Sequence, residues 1–287
     1  MIRLNRLLLL CLALLCLLLP CAASAQTACD AARTEYGIGS CHSLSQDAAI
    51  IILFAGDDVS SWDDASVSEV YQRVEAAAQL LRDTAASYGY ELTLPVYYYT
   101  DNERREIRYT GVISTGGAQL DALSGIAENW GFADKQAMHE ALQEYTGMDQ
   151  LAYIVAHNKS GYAYAQSQSF MSSYTAWCDP EYCVLAVRSE YGEIFPAASY
   201  AHELLHLFGA QDLYRKDINS VIYNEQRAAL CQKLCPGELM LNSWIDLSKA
   251  DISGFTAYCV GWIDFLPGNY NVRGWWKDTQ WESWYLP

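Results

Sequence analysis

The chain opens its folded part with a continuous apolar run, Ala48 to Ala55, with no polar position to break it. An unbroken aliphatic run of this length reads as a strand covered on both faces. The pattern then changes period. Val67, Val70, Tyr71, Val74, Ala78, Leu81 and Ala85 recur at helical spacing. Ser66 and Glu69 have the spacing of a capping box at the helix start, and Gly89 is placed to end it. Glu91 to Tyr99 reads as a second strand, with Pro95 marking an edge or a bulge. Residues 101–116 read as a loop or weak hairpin. Gly116-Gly117 opens a helical region that breaks near Gly131, and a second helical piece runs from about Ala133 to Tyr145.

The second half continues the alternation and then abandons it. Leu151 to Ala156 is another aliphatic strand, and Gly161 to Ala165 is a short Tyr-bearing edge expected to pair with it. Cys183 to Val187 is a further strand. A helix follows from about Pro196 to Phe208, with Pro at its start and Gly209 just past its end. Beyond it come helix and long loop. Alternating strands and helices argue for an α/β layer architecture. No internal repeat or low-complexity linker divides the chain, so residues 47–287 are expected to form a single domain after a lead-in over 26–46.

Composition narrows what such a domain does. The chain has 287 residues, enough for one sizeable domain, and a formal net charge of -16. That charge repels nucleic acid and anionic membranes, and no Lys/Arg stripe offsets it. Residues 1–25 read as an export signal: Arg3 and Arg6, the apolar run Leu7 to Leu19, then Ala23-Ser24-Ala25 as a cleavage site. The run is too short for a comfortable membrane span; a retained anchor is the alternative. Pro20 before Cys21 argues against lipid attachment there. The expectation is therefore a secreted, extracellular protein, monomeric, with no stable membrane insertion. Export implies an oxidising compartment and disulfides. Outside the signal lie Cys29, Cys41, Cys178, Cys183, Cys231, Cys235 and Cys259. Three close pairs present themselves, Cys29–Cys41, Cys178–Cys183 and Cys231–Cys235, although spacing does not fix connectivity. The cysteines do not form two zinc-ribbon knuckles.

The stretch Ala201-His202-Glu203-Leu204-Leu205-His206-Leu207-Phe208-Gly209-Ala210-Gln211-Asp212 carries the chemistry. Residues four apart share a helix face, so His202 and His206 can hold one metal ion, and imidazole suits zinc. Glu203 lies about 100° round the helix from His202. It can take a proton from a water at the metal without being a ligand. Gly209 permits a sharp, left-handed turn that brings Asp212 back as third ligand. A Glu from a later helix, Glu225 or Glu238, is the competing third ligand.

This segment resembles the zinc signature of the metzincin clan of metallopeptidases, in the variety with Asp as third ligand (the snapalysin-like enzymes). The resemblance extends to Cys235-Pro236-Gly237-Glu238-Leu239-Met240-Leu241-Asn242-Ser243, which looks like the clan's methionine turn, with Met240 as an apolar floor. A helix near Ser253 to Trp262 would follow as in that clan. The resemblance covers residues 47–265 loosely and is sharp only over 202–212. It implies an α/β (α+β) zincin-like catalytic domain: a mixed twisted sheet packed on helices, and an active-site helix followed by the methionine turn. It further implies a zinc-dependent endopeptidase acting on protein or peptide substrates, with His202, His206 and Asp212 on the metal and Glu203 as general base. The chain departs from the clan in having no Tyr shortly after Met240; Tyr214 or Tyr223 would have to serve instead.

Other features are weaker. His42, His139 and His157 read as surface or packing residues. The acidic pairs Asp57-Asp58 and Asp63-Asp64 could bind structural calcium, but lack EF-hand spacing and fit a capped, solvated loop better. The tail from Tyr270 to Pro287, with Trp275, Trp276, Trp281 and Trp284, either packs onto the domain or forms a binding platform. A non-catalytic exported binding or adhesion protein that retains the fold is the alternative function.

Overall fold

The computed structural model describes residues 40–100, 106–114, 122–166, 180–210, 212–213 and 225–264, without the side chains of 225–228. The expected export signal, Cys29, Cys178, the Gly116-Gly117 opening, Tyr214, Tyr223 and the Trp-rich tail lie outside the described residues, as does the side chain of Glu225.

The fold is mixed α/β, a mostly parallel sheet flanked by helices. Six strands contribute: β1 Ala48–Gly56, β2 Val96–Tyr99, β3 Ile107–Arg108, β4 Gln150–Gly161, β5 Ala163–Gln166 and β6 Tyr182–Ser189. Their order is β2-β1-β4-β6-β5, with the two-residue β3 also paired to β1. Every pairing is parallel except β5 against β6. The helices are α1 Asp64–Ser87, α2 Ala122–Trp130, α3 Lys135–Thr146, α4 Ala197–Leu207, α5 Glu225–Leu234 and α6 Gly254–Cys259.

The apolar run at 48–55 becomes a strand buried at every position. Its side chains divide by parity, as the pleat requires. Ile50, Ile52 and Phe54 meet α1 and α4; Ala49, Ile51, Leu53 and Ala55 meet α2 and α3. Helix α4 therefore lies on the α1 side of the sheet. Burying each such Ile, Leu or Phe contributes about 1.5–3 kcal/mol, so the sheet is a firm base for α4.

Several expectations are corrected. Helix α1 begins earlier than the Ser66/Glu69 spacing predicts. Its cap is Asp63, whose carboxylate accepts from Ser66 N–H at 2.7 Å. Glu69, well inside the helix, pairs with Arg73 at 2.6 Å. Strand β2 starts only after Pro95, whose ring nitrogen has no proton for a ladder; the Pro95 carbonyl still accepts from Ile50 N–H at 2.9 Å. The weak hairpin over 101–116 is replaced, among the described residues, by β3 in parallel register with β1. The Tyr-bearing edge is β5, and it pairs with β6 rather than with β4.

No disulfide joins two described cysteines, and Cys41, Cys183 and Cys235 carry free thiols. The expected Cys231–Cys235 pair is not formed. Cys235 N–H donates to Cys231 O at 2.8 Å, a helical turn. Side chains one turn apart hold their Cβ atoms about 5–6 Å apart, beyond the reach of a disulfide. No helix among the described residues is long and apolar enough to cross a membrane.

Candidate metal centre

Helix α4 carries His202, Glu203 and His206, all buried. Leu204, Leu205 and Leu207 anchor it in the α1-side core. The chain leaves α4 through a tight cap. Gly209 adopts φ 95°, its N–H donates to His206 O at 3.1 Å, and Ala210 N–H reaches back to Leu205 O at 3.0 Å. This double bond pattern with a left-handed glycine is a Schellman cap. The cap serves the site directly, because the Ala210 carbonyl accepts from His206 Nδ1 at 2.8 Å.

The segment 235–243 orients the other imidazole. The Leu239 carbonyl accepts from His202 Nδ1 at 3.1 Å. A carbonyl only accepts, so each imidazole donates from Nδ1, and its neutral form then presents the Nε2 lone pair. The next carbonyl, Met240 O, accepts from Leu213 N–H at 2.9 Å and so ties down the chain just past Asp212. Met240 itself is fully buried in the same core as α4. The turn expected around Met240 thus holds both halves of the site.

The result is a close triangle. His202 Nε2 and His206 Nε2 lie 3.1 Å apart, and Asp212 Oδ1 is 3.2 Å from each. These three form the only group of three or more His, Cys, Asp or Glu side chains, among the described residues, that could share an ion. A tetrahedral zinc with bonds of about 2.0–2.1 Å would space its ligand atoms roughly 3.3–3.4 Å apart. The triangle is within a few tenths of an ångström of that. Its chemistry fits as well: three electron-rich atoms converge in a buried place, an arrangement stabilised by a cation.

The other acidic candidates whose contacts are described are used elsewhere. Glu238, the rival third ligand, spends its carboxylate on Met240 N–H, Ser253 N–H and Thr256 Oγ1–H. Asp57 accepts from Val59, Ser60, Ile113 and Lys159, Asp58 pairs with Arg108, and Asp63 caps α1. Those contacts, at Asp57, Asp58 and Asp63, fit the capped-loop reading of the two acidic pairs better than the calcium alternative. His139 Nδ1 bonds the Tyr153 hydroxyl at 2.9 Å, and His157 is fully buried with neither ring nitrogen partnered.

A cavity of about 410 Å³ opens beside the triangle. His202 and Glu203 form one wall; Tyr162, Tyr191, Phe195 and Trp244 form others, with Glu190 and Glu193 at the rim. Trp244 packs on Phe195 at 5.0 Å between ring centroids, and the Tyr162 hydroxyl donates to Glu190 at 2.6 Å. Sequence reasoning named neither Tyr191 nor Phe195 nor the two glutamates. Their approach to α4 depends on the turn after β6, which no local pattern reveals.

The chain matches no protein-family profile, no curated protein and no solved structure. The functional reading therefore rests on the geometry.

Proposed function

We propose that the protein is an exported zinc-dependent endopeptidase of metzincin type. The carrying observation is the triangle of His202 Nε2, His206 Nε2 and Asp212 Oδ1, with both Nδ1 protons committed to backbone carbonyls. The order along the chain supports the same reading: a parallel sheet with an antiparallel edge strand, then HExxH on α4, a glycine cap, the acidic residue and a buried methionine turn.

His202, His206 and Asp212 would hold the ion, and His202 also lines the cavity. Zinc in such a site polarises a carbonyl and lowers the pKa of water. Glu203 shares the cavity wall with His202. Its carboxylate takes the proton from the attacking water and delivers it to the leaving amine. The aromatic walls, with two rim carboxylates and no Lys or Arg among the lining residues, favour a substrate side chain that is aromatic or cationic.

Glu203→Gln tests the mechanism. The variant should retain zinc while chelator-sensitive casein hydrolysis falls by about 10²–10⁴-fold. Hydrolysis at the wild-type rate in that variant would refute the role of Glu203. A protein that binds zinc and cleaves nothing in either form would point to the non-catalytic binding alternative.

A further inference from the structure

Glu238 is fully buried, yet it lies outside the triangle. Its oxygens gather three donors: Met240 N–H at 3.1 Å and Thr256 Oγ1–H at 3.0 Å on Oε1, and Ser253 N–H at 2.5 Å on Oε2. Its own carbonyl accepts from Leu241 and Asn242 N–H at 3.0 and 3.1 Å. One residue therefore closes the turn on itself and fastens it to the start of α6, where Ser253 is the cap. The backbone adds a second fastening, Leu239 N–H to Asp251 O at 2.9 Å and Asp251 N–H to Gly237 O at 2.7 Å. Gly237 is required there, because a Cβ would sit 2.5 Å from the Lys249 carbonyl oxygen.

The two residues after Glu238 are the ones that touch the site. Leu239 O takes the His202 Nδ1 proton, and Met240 O takes Leu213 N–H beside Asp212. We infer that Glu238 is a positioning residue for the metal centre: its buried carboxylate sets the aim of His202 and the placement of Asp212 through the turn it closes. This rests on the metal-site reading above. A carboxylate suits the task because it accepts from all three donors. A glutamine in its place would turn an NH₂ toward a backbone N–H, leaving a buried donor unmatched.

The test compares wild type with Glu238→Gln and Thr256→Val, which removes one of the three donors while keeping shape. Two readouts are taken on folded protein. The first is the imidazole Nδ1–H resonances of the ion-free protein. That of His202 should shift in Glu238→Gln while that of His206 stays, because its acceptor, Ala210 O, belongs to the helix cap. The second is affinity for Zn²⁺ and the electronic spectrum with Co²⁺. Affinity should fall by about 10–100-fold, the usual cost of losing an outer partner of a metal ligand, and the cobalt bands should move. Thr256→Val should change both in the same direction by less, and it decides the matter if Glu238→Gln does not fold. A merely structural role would lower the melting temperature with an unchanged His202 resonance and cobalt spectrum, and that result would overturn the inference. If wild type takes up neither ion, the metal-site reading fails, and the His202 resonance alone then decides the positioning role.

Discussion

Two buried clusters of ionisable groups in this protein have opposite bookkeeping. At the end of β1, Asp57 meets Lys159, the Ser60 hydroxyl and the N–H groups of Val59 and Ile113, while the Lys159 ammonium also donates to Ile113 O at 2.7 Å. Donors and acceptors match there, the charge is neutralised on the spot, and nothing further is called for. Around α4, three atoms able to ligate an ion face one another within 3.2 Å, and each Nδ1 donates to a carbonyl. The first cluster is complete as it stands. The second is arranged for a cation. Burial and acidity are common to both, so neither property identifies a ligand site; the direction of the lone pairs does.

The comparison breaks most sharply on substitution of a member from each cluster. Asp212→Ala should weaken zinc binding by more than the roughly 10–100-fold that loss of an outer partner costs. Calorimetric or chelator-competition titration would show it. Affinity left largely intact would return the third-ligand role to another acid. Lys159→Met should do the reverse. It leaves Asp57 buried without its cation, at a cost of up to about 3–5 kcal/mol in urea denaturation, while zinc affinity of the folded protein stays unchanged. A loss of zinc affinity in that variant would show that the clusters are not independent.

A smaller effect follows from pH. Burial holds His157 down at about 4, with Lys159 adding to the effect and Asp57 opposing it; burial likewise holds His139 at about 4. The unfolded chain takes these protons near 6.5 and the folded protein only near 4, so stability is full above 6.5 and is lost as pH falls from 6.5 to 4. Asp57 is lowered to about 2 by Lys159, Ser60 and the N–H groups of Ile113 and Val59, against the cost of burial. Its contribution is present above about 4 and disappears between there and 2. The ion-free protein should therefore lose on the order of 1–3 kcal/mol per histidine across the first window. His157→Gln should flatten that slope; an unchanged slope would remove His157 from the explanation.

What was legible in the sequence was what depends on near neighbours. The run 48–55 announces a doubly covered strand because every position in it is apolar. The spacing of His202, His206, Gly209 and Asp212 announces that the two imidazoles and the carboxylate converge, because one helix turn and one cap place them. Partners chosen across the fold were not legible. Alternation reveals that 163–166 can be a strand but not that its partner is β6. Asp63 outcompetes Ser66 as cap because the chain enters the helix one turn earlier than the apolar spacing shows. The carbonyls that orient His202 and the segment after Asp212 come from Leu239 and Met240, well beyond α4 in sequence. Glu238 was visible only as one more acid. Its burial among three donors is a tertiary fact, and it turned a rival ligand into a support.

The most direct measurement is the zinc content of the purified full-length protein after dialysis against metal-free buffer, compared with His206→Ala and Lys159→Met. The expected result is one zinc per chain in wild type and in Lys159→Met, and close to none in His206→Ala. A wild type without zinc, or a His206→Ala variant that still holds one, would contradict the assignment of the converging His202, His206 and Asp212 atoms as the metal site.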